Sequence, residues 1–533
     1  MSSAAASTLD GATASISLSL VSHTNAGKTT LARTLLGRDV GTVRDAPHLT
    51  EFADAFTMLQ TPQGETLRLW DTPGFGDSVR LARRLRQSAN PLGWFLSEVW
   101  DRWRDRPFWS TQQALRHVKS DADVVLYLVN ASEEPAAAGY VAPEMELLAW
   151  AGKPVIVLLN QLGPPRDAAV EDTEVQRWRQ HLAVHGQVRT VLPLDAFARC
   201  WVQEFALLQA IDGVLPDAHH GLMSRLRGAW QTQRLATFDA ALHAVASSLA
   251  RIAQAREVVP ESGGLRQRLR QVGSALGLGD AEASPAARAQ QALATQLDVE
   301  VRANTAQLIA LHGLEGQAQG EILSRLATHY EMRLKLDEGK AAVLGGMLSG
   351  AIAGLKADIA TGGLTLGGGL LAGGLLGALG AAGLARCYNL VRGTQQSWLS
   401  WNAQALHQMV EAALLRYLAV AHFGRGRGQW AQAESPPHWK EVIAEALLPH
   451  RAELDALWAG RGAPGDDGGA AEAQVSVAAL ATQLQPLLRR AAQSALRRLY
   501  PAAAPWLNES SARALPKRYS AVRNIGDRWS LEE

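Results

Sequence analysis

The stretch from Ile16 to Leu36 reads ISLSLVSHTNAGKTTLARTLL. An apolar, strand-like run leads into a turn and then into a run with helical spacing. The turn closes on Gly27, Lys28, Thr29 and Thr30. This matches the end of the phosphate-binding template G-x-x-x-x-G-K-[ST], with Ser22 in place of its first glycine. Such a turn aims successive main-chain N–H groups, here from Ser22 through Asn25 and Ala26 to Thr30, at phosphate oxygens. It does so at a helix N-terminus, where the dipole favours anions. The first glycine is not indispensable to that geometry. In the template's roles Lys28 reaches the β- and γ-phosphates, and the Thr29 hydroxyl holds Mg2+.

Two further elements fit the same chemistry. The run Leu67–Trp70 ends in Asp71-Thr72-Pro73-Gly74. A carboxylate at the C-terminal end of a strand suits a magnesium shell, and a glycine three residues on lets main chain approach a γ-phosphate. Farther along, Val155–Leu159 ends in Asn160-Gln161-Leu162-Gly163, where a base-reading loop is due. Three elements in this order, each after an apolar strand, predict a nucleotide site rather than a chance GKT.

The elements that must position these residues are legible as alternating runs. Strands are predicted at Ile16–Val21, Phe52–Leu59, Thr66–Trp70, Val124–Val129, Val155–Leu159 and Thr190–Leu194. Helices are predicted at Thr29–Leu36, after Gly76, and at Pro143–Ala151, Val170–Val184 and Phe197–Ala210. That alternation predicts an α/β P-loop NTPase domain over residues 14–212, with a mostly parallel sheet. The TPQGE turn between the second and third runs predicts a hairpin, hence one antiparallel strand. Residues 1–13 lack a basic region and an apolar core and read as a flexible leader. From 213 to 533 the composition turns to Ala, Leu, Arg and Gln at helical spacing, which predicts a large all-α domain with no strand. The Gly- and Asp-rich stretch 459–474 reads as its linker.

Composition narrows the function. Lys and Arg total 52 against 51 Asp and Glu, which gives no bulk field for nucleic acid or anionic lipid. Two cysteines exclude a disulfide scaffold and a cysteine-based zinc site, and they fit a reducing compartment. No Ser/His/Asp or Cys/His arrangement stands out.

The P-loop ending Asn25-Ala26-Gly27-Lys28-Thr29 resembles the G-x-x-N-x-G-K-[ST] loop of Era-like and TrmE-like bacterial GTPases, of the translation-factor-related class. The resemblance covers about residues 16–210, and the remainder resembles a helical C-terminal domain fused to such GTPases in proteobacteria. It implies GTP and GDP as ligands and Mg2+ as cofactor. Thr50 falls where the switch I threonine meets the metal, with Thr42 as the alternative. Asp71 and Gly74 match switch II. Asn160 matches the asparagine of N-K-x-D, and Asp195-Ala196-Phe197 falls where a main-chain N–H, assigned to Ala196, meets guanine O6. Two departures stand out: Gln161 replaces the lysine under the base, and Gly163 replaces the aspartate that accepts two hydrogen bonds from guanine. ATP, mixed specificity and a non-hydrolysing site therefore stay open beside GTP. Phe75, after Gly74, cannot orient water, so slow turnover is expected. Some members of the resembling group compensate with a potassium ion on the P-loop asparagine, here Asn25. The catalytic set is thus Lys28, Thr50, Gly74 and Asn25, the metal set Thr29, Thr50 and Asp71. Bracing of the loop by Asn25 is the alternative to K+.

Three features remain. An insertion over residues 77–120 carries Trp94, Phe95, Trp100, Trp103, Phe108 and Trp109 among arginines. Glu98, Asp101 and Asp105 offset that charge, which favours packing as a lid on the helical half over base stacking or a membrane anchor. Residues 341–385 carry Gly346, Gly350 and Gly354, then Gly369, Gly373 and Gly377, a zipper spacing for a close-packed hairpin. That hairpin either enters a membrane or packs inside a soluble domain. Gly424–Gly428 and the basic helix Leu487–Tyr500 read as a loop and as a half-wet helix. The expectation is a regulatory GTPase in the cytoplasm or at the inner membrane, answering to an activating or effector protein. The alternatives are an RNA- or ribosome-linked GTPase and a nucleotide-binding scaffold.

Overall fold

The computed structural model describes residues 14–24, 26–37, 54–87, 105–163, 166, 168–196, 200–259, 285–314, 388–392, 397–423, 436–461 and 476–508. The leader, Asn25, Thr42, Thr50, the middle of the Trp/Arg insertion, the Gly-rich hairpin 341–385, the tract Gly424–Gly428 and most of the stretch 459–474 lie outside these residues. The chain divides into two compact units. One is Met1–Ala236 with two short later segments, the other Thr237–Ala421 with Trp430–Pro501.

The first unit is built on a six-stranded sheet. Its strands are β1 (Ser15–Ser22), β2 (Asp54–Gln60), β3 (Thr66–Asp71), β4 (Val124–Asn130), β5 (Val155–Asn160) and β6 (Val188–Pro193), in the order β2-β3-β1-β4-β5-β6. All pairs are parallel except β2 with β3, as the TPQGE turn predicts. Strands β4 and β5 are buried along nearly their whole length, which is how parallel strands read when helices cover both faces. Parallel pairing brings the C-terminal ends of β1, β3, β4, β5 and β6 to one edge, where ligands of open α/β sheets sit. Helix α1 (Lys28–Leu36) follows β1 directly.

The insertion begins in α2 (Ser78–Gln87) and ends in α3 (Arg106–Asp121). Phe108 belongs to the same core as Phe75, Leu81, Leu85 and Val125. The described end of the insertion thus packs into the sheet's own core, while Trp94, Phe95, Trp100 and Trp103, on which the expected lid rests, lie outside the described residues. The guanidinium groups of Arg80 and Arg84 lie 4.3 and 4.7 Å from the Phe108 ring centroid. Helices α4 (Val141–Ala151), α5 (Ala168–Leu182) and α6 (Trp201–Asp212) complete the unit, and α7 (Asp217–Gln254) follows.

The helical C-terminal region includes α8 (Pro285–Leu311), α9 (Ala403–Ala421), α10 (Pro437–Leu447), α11 (Arg451–Ala459) and α12 (Val477–Leu499). It also holds a three-stranded antiparallel sheet of β7 (Arg256–Val259), β8 (Tyr388–Arg392) and β9 (Ser397–Trp401), in the order β7-β9-β8. The expectation of no strand here fails because runs of four or five residues leave almost no period to read. Arg461 pins this unit: Nε donates to the Trp458 carbonyl at 2.7 Å and Nη1 to the Ala253 and Trp401 carbonyls at 2.8 and 3.2 Å. Burial pushes its guanidinium down to about 10. Three of the four arginines on α12 meet acids: Arg489 pairs with Asp239, Arg490 with Glu453 and Arg498 with Glu445. Among the described residues no helix is long and apolar enough to cross a membrane.

Candidate functional site

The edge at the C-terminal ends of the strands gathers the predicted residues. Gly27 caps α1 with φ +89°, and among the described residues no side chain caps the first N–H groups of that helix. These amides and the helix dipole form an anion cradle. A Cβ at Gly27 would sit 2.8 Å from Asn160 Nδ2, so glycine is required by both conformation and space.

Lys28 is buried and its Nζ donates to Ser22 Oγ at 3.0 Å. Ser22 Oγ donates in turn to the His23 carbonyl at 2.5 Å. Burial pushes the Lys28 ammonium below its ordinary range, while the Asp71 and Glu144 carboxylates pull the other way. At the end of β3, Asp71 is 3% exposed and its Oδ2 accepts from Thr29 Oγ1 at 2.6 Å. Among the described residues its Oδ1 has no hydrogen-bond partner. Burial pushes the Asp71 carboxyl above its ordinary range, opposed chiefly by Lys28. A buried carboxylate oxygen without a donor, beside a threonine hydroxyl, fits a hard divalent cation with oxygen ligands. Gly74 closes the other side: a Cβ there would lie 3.1 Å from Thr24 Cα and 3.2 Å from Lys28 Nζ.

The base end is knit by Asn160, which is fully buried. Its Nδ2 donates to the Ala26 carbonyl at 2.8 Å, and its Oδ1 accepts from Ala196 N at 2.8 Å. The Ala196 amide, expected to face a base, is therefore held by Asn160 instead. Thr34 Oγ1 donates to the Ala196 carbonyl at 2.9 Å and to the Thr30 carbonyl at 3.1 Å. Gln161 takes a left-handed φ of 59°, unusual for a residue with a side chain, and Gly163 one of 83°. The structure thus brings together Ser22, Ala26, Gly27, Lys28, Thr29, Asp71, Gly74, Asn160 and Ala196. It leaves Thr30 in the helix wall and Gln161 on the loop beside Asn160. Asn25 and Thr50, both in the predicted catalytic set, lie outside the described residues.

Two sets of residues were missed. Under the P-loop, fully buried Glu144 lies 2.8 Å from His23 Nδ1 and accepts from the Tyr127 hydroxyl at 2.6 Å. The His23 ring stacks on Tyr140 at 4.5 Å. Burial pushes the Glu144 carboxyl up, opposed by those two hydrogen bonds. The helix carries both Glu144 and Glu146, and no local pattern singles out the buried one. Beside switch II, the buried Thr111 hydroxyl accepts from the amides of Gly76 and Asp77, each at 3.0 Å, and donates to the Pro107 carbonyl at 2.9 Å. No local pattern marks that threonine.

Residues 182–482, more than half of the chain, match the family described as Domain of unknown function (DUF3482). The chain belongs to the DUF3482 family. In this DUF3482 protein residues 17–161 also match a family described as 50S ribosome-binding GTPase, and the N-terminal part is a P-loop GTPase domain. No curated protein matches the chain. Among solved structures the DUF3482 protein is similar to Era in complex with MgGDPNP and part of 16S ribosomal RNA, at 19% identity and a TM-score of 0.28. That match covers 38% of this chain and 58% of the Era chain, so little more than half of Era's length is spanned. An Aquifex aeolicus Era variant bound to GDP and AlF4− matches at 15% identity and a TM-score of 0.28, over 54% and 89% of the two chains. The cytosolic domain of the T. maritima FeoB iron transporter matches at 17% identity and a TM-score of 0.20, over 34% and 56%.

Proposed function

We propose that the chain is a regulatory GTPase that binds GTP and GDP with Mg2+, hydrolyses GTP slowly and passes its nucleotide state to the helical C-terminal region. The observation that carries this reading is the buried cluster of Lys28, Thr29 and Asp71, with Asp71 Oδ1 unpartnered and the Gly74 main chain against the lysine. Lys28 exchanges the Ser22 hydroxyl for phosphate oxygens. The α1 amides hold the remaining phosphate charge. Thr29 and Asp71 would hold the metal, which supplies positive charge as the leaving group develops. Phe75 is fully buried in the sheet's core and offers no group to the attacking water, which supports slow turnover. A potassium ion on Asn25 remains a part of this proposal.

Isothermal titration of the full chain with GDP and with ADP in Mg2+ tests it. GDP is expected to bind at least about tenfold more tightly, since a site built around base hydrogen bonds rejects a base that cannot make them. Equal affinities would remove the guanine assignment, and no binding of either would remove the nucleotide site.

A further inference from the structure

We propose that Thr111 is a positioning residue for GTP at this site: its hydroxyl, carried on the helix that closes the Trp/Arg insertion, holds switch II where the Gly74 main chain meets a γ-phosphate. This rests on the nucleotide reading above and names what favours GTP over GDP there. One hydroxyl makes three bonds. Thr111 Oγ1 accepts from Gly76 N and Asp77 N, each at 3.0 Å, and donates to the Pro107 carbonyl at 2.9 Å. A hydroxyl has two lone pairs and one proton, so its whole capacity is used. A helical threonine commonly bonds only the carbonyl four residues back. This one, fully buried, also takes two amides from a segment more than thirty positions earlier in the chain.

The helix that carries Thr111 is fixed to the sheet. Phe108, Ala114, Leu115 and Val118 of α3 share the core of Phe75, and His117 Nε2 lies 3.0 Å from Ser19 Oγ on β1. The same short segment is tied to the phosphate turn from its other side. Phe75 N donates to the Ser22 carbonyl at 3.0 Å, and Thr24 Oγ1 donates to the Phe75 carbonyl at 3.3 Å. Residues 75–77 are thus fastened to the turn at one end and to α3 at the other. Asp77 then opens α2, its Oδ1 accepting from Arg80 N at 3.1 Å, so the tie continues into the switch II helix. Gly74 directly precedes the fastened segment, and a Cβ there would lie 3.2 Å from Lys28 Nζ. That closeness suits a main chain that meets the γ-phosphate which the lysine grips. A diphosphate has no group at that place. Fastening Gly76 and Asp77 therefore favours the triphosphate, and the triphosphate favours the fastened form by the same factor.

The test titrates GDP and GMPPNP with Mg2+ into the full chain, Thr111→Val and Thr111→Ser, and follows GTP cleavage in a single turnover. Valine keeps the shape of threonine and leaves the two amides without their acceptor. In Thr111→Val, GMPPNP affinity and the cleavage rate are each expected to fall about tenfold while GDP affinity stays within about twofold, since an unpaired, partly buried donor penalises only the form that needs it in place. Thr111→Ser keeps the hydroxyl and is expected to restore both quantities. Amide exchange in the parent chain needs no variant: Gly76 and Asp77 are expected to exchange about tenfold more slowly with GMPPNP than with GDP, by the reciprocity above. An unchanged ratio of GMPPNP to GDP affinity in Thr111→Val overturns the assignment. So does an equal loss of both nucleotides, which gives Thr111 a purely structural role. A serine variant that behaves like valine, or equal exchange with either nucleotide, overturns it as well. A parent chain that binds neither nucleotide fails the nucleotide reading instead.

Discussion

Lys28→Ala is expected to lower kcat/KM for GTP by about 10²–10³-fold, the range for removing one preorganised electrostatic donor from a site. The reason lies in how little else can replace it. Lys28 Nζ stands 3.2 Å from where a Gly74 Cβ would be and bonds the Ser22 hydroxyl. It is already stripped of water, so no solvation shell has to be shed when phosphate arrives, and its charge acts through a poorly screened interior. Alanine leaves the α1 amides in place and removes the charge that opposes Asp71 and Glu144. Phosphate release under single-turnover conditions, together with a fluorescent nucleotide titration, measures both parts. Turnover equal to that of the parent chain would show that hydrolysis occurs elsewhere or is contamination.

Asn160→Asp is expected to destabilise the N-terminal domain by about 3 kcal/mol or more and to weaken nucleotide binding with it. The substitution keeps the acceptor for Ala196 N but turns the donor to the Ala26 carbonyl into a second oxygen facing an oxygen. Asn160 is fully buried, so the new charge is cut off from bulk solvent, a situation that costs several kcal/mol. Because one side chain joins the phosphate turn to the loop after β6, both ends of the site loosen together. The readouts are a lower urea midpoint and faster amide exchange across Val155–Asn160. An unchanged midpoint would mean that the two bonds do not hold the loops.

The sheet was legible because each strand is an apolar run of ordinary length followed by a turn with a job. β1, β3 and β5 end in the lysine loop, Asp71 and Asn160, and the alternation with helices fixes parallel order. Boundaries were less legible. The helix predicted over Phe197–Ala210 spans Trp201–Asp212, because Cys200 N donates to the Gln203 side chain at 2.9 Å and sets the start there. The helix predicted from Pro143 starts at Val141, since proline is tolerated in a first turn. The strands β7, β8 and β9 were hidden, since β7 pairs with β9 across some 140 residues and no hairpin signal marks that pairing. At the site, types and spacing named Lys28, Thr29, Asp71, Gly74 and Asn160. They could not name Thr111 or Glu144, whose partners lie 34 and 121 residues away in sequence. Such contacts exist only once the sheet has placed its loops side by side.

Main-chain amides over Ala26–Thr29 are expected to hold a polyphosphate with a metal beside it. A crystal structure of the full chain with Mg2+ and GMPPNP tests this most directly. The phosphates are expected against those amides, with Lys28 Nζ moved from Ser22 onto phosphate oxygen and the metal between Thr29 Oγ1 and Asp71. Phosphates found away from this turn, with Lys28 still on the Ser22 hydroxyl and Asp71 Oδ1 still without a partner, would contradict it.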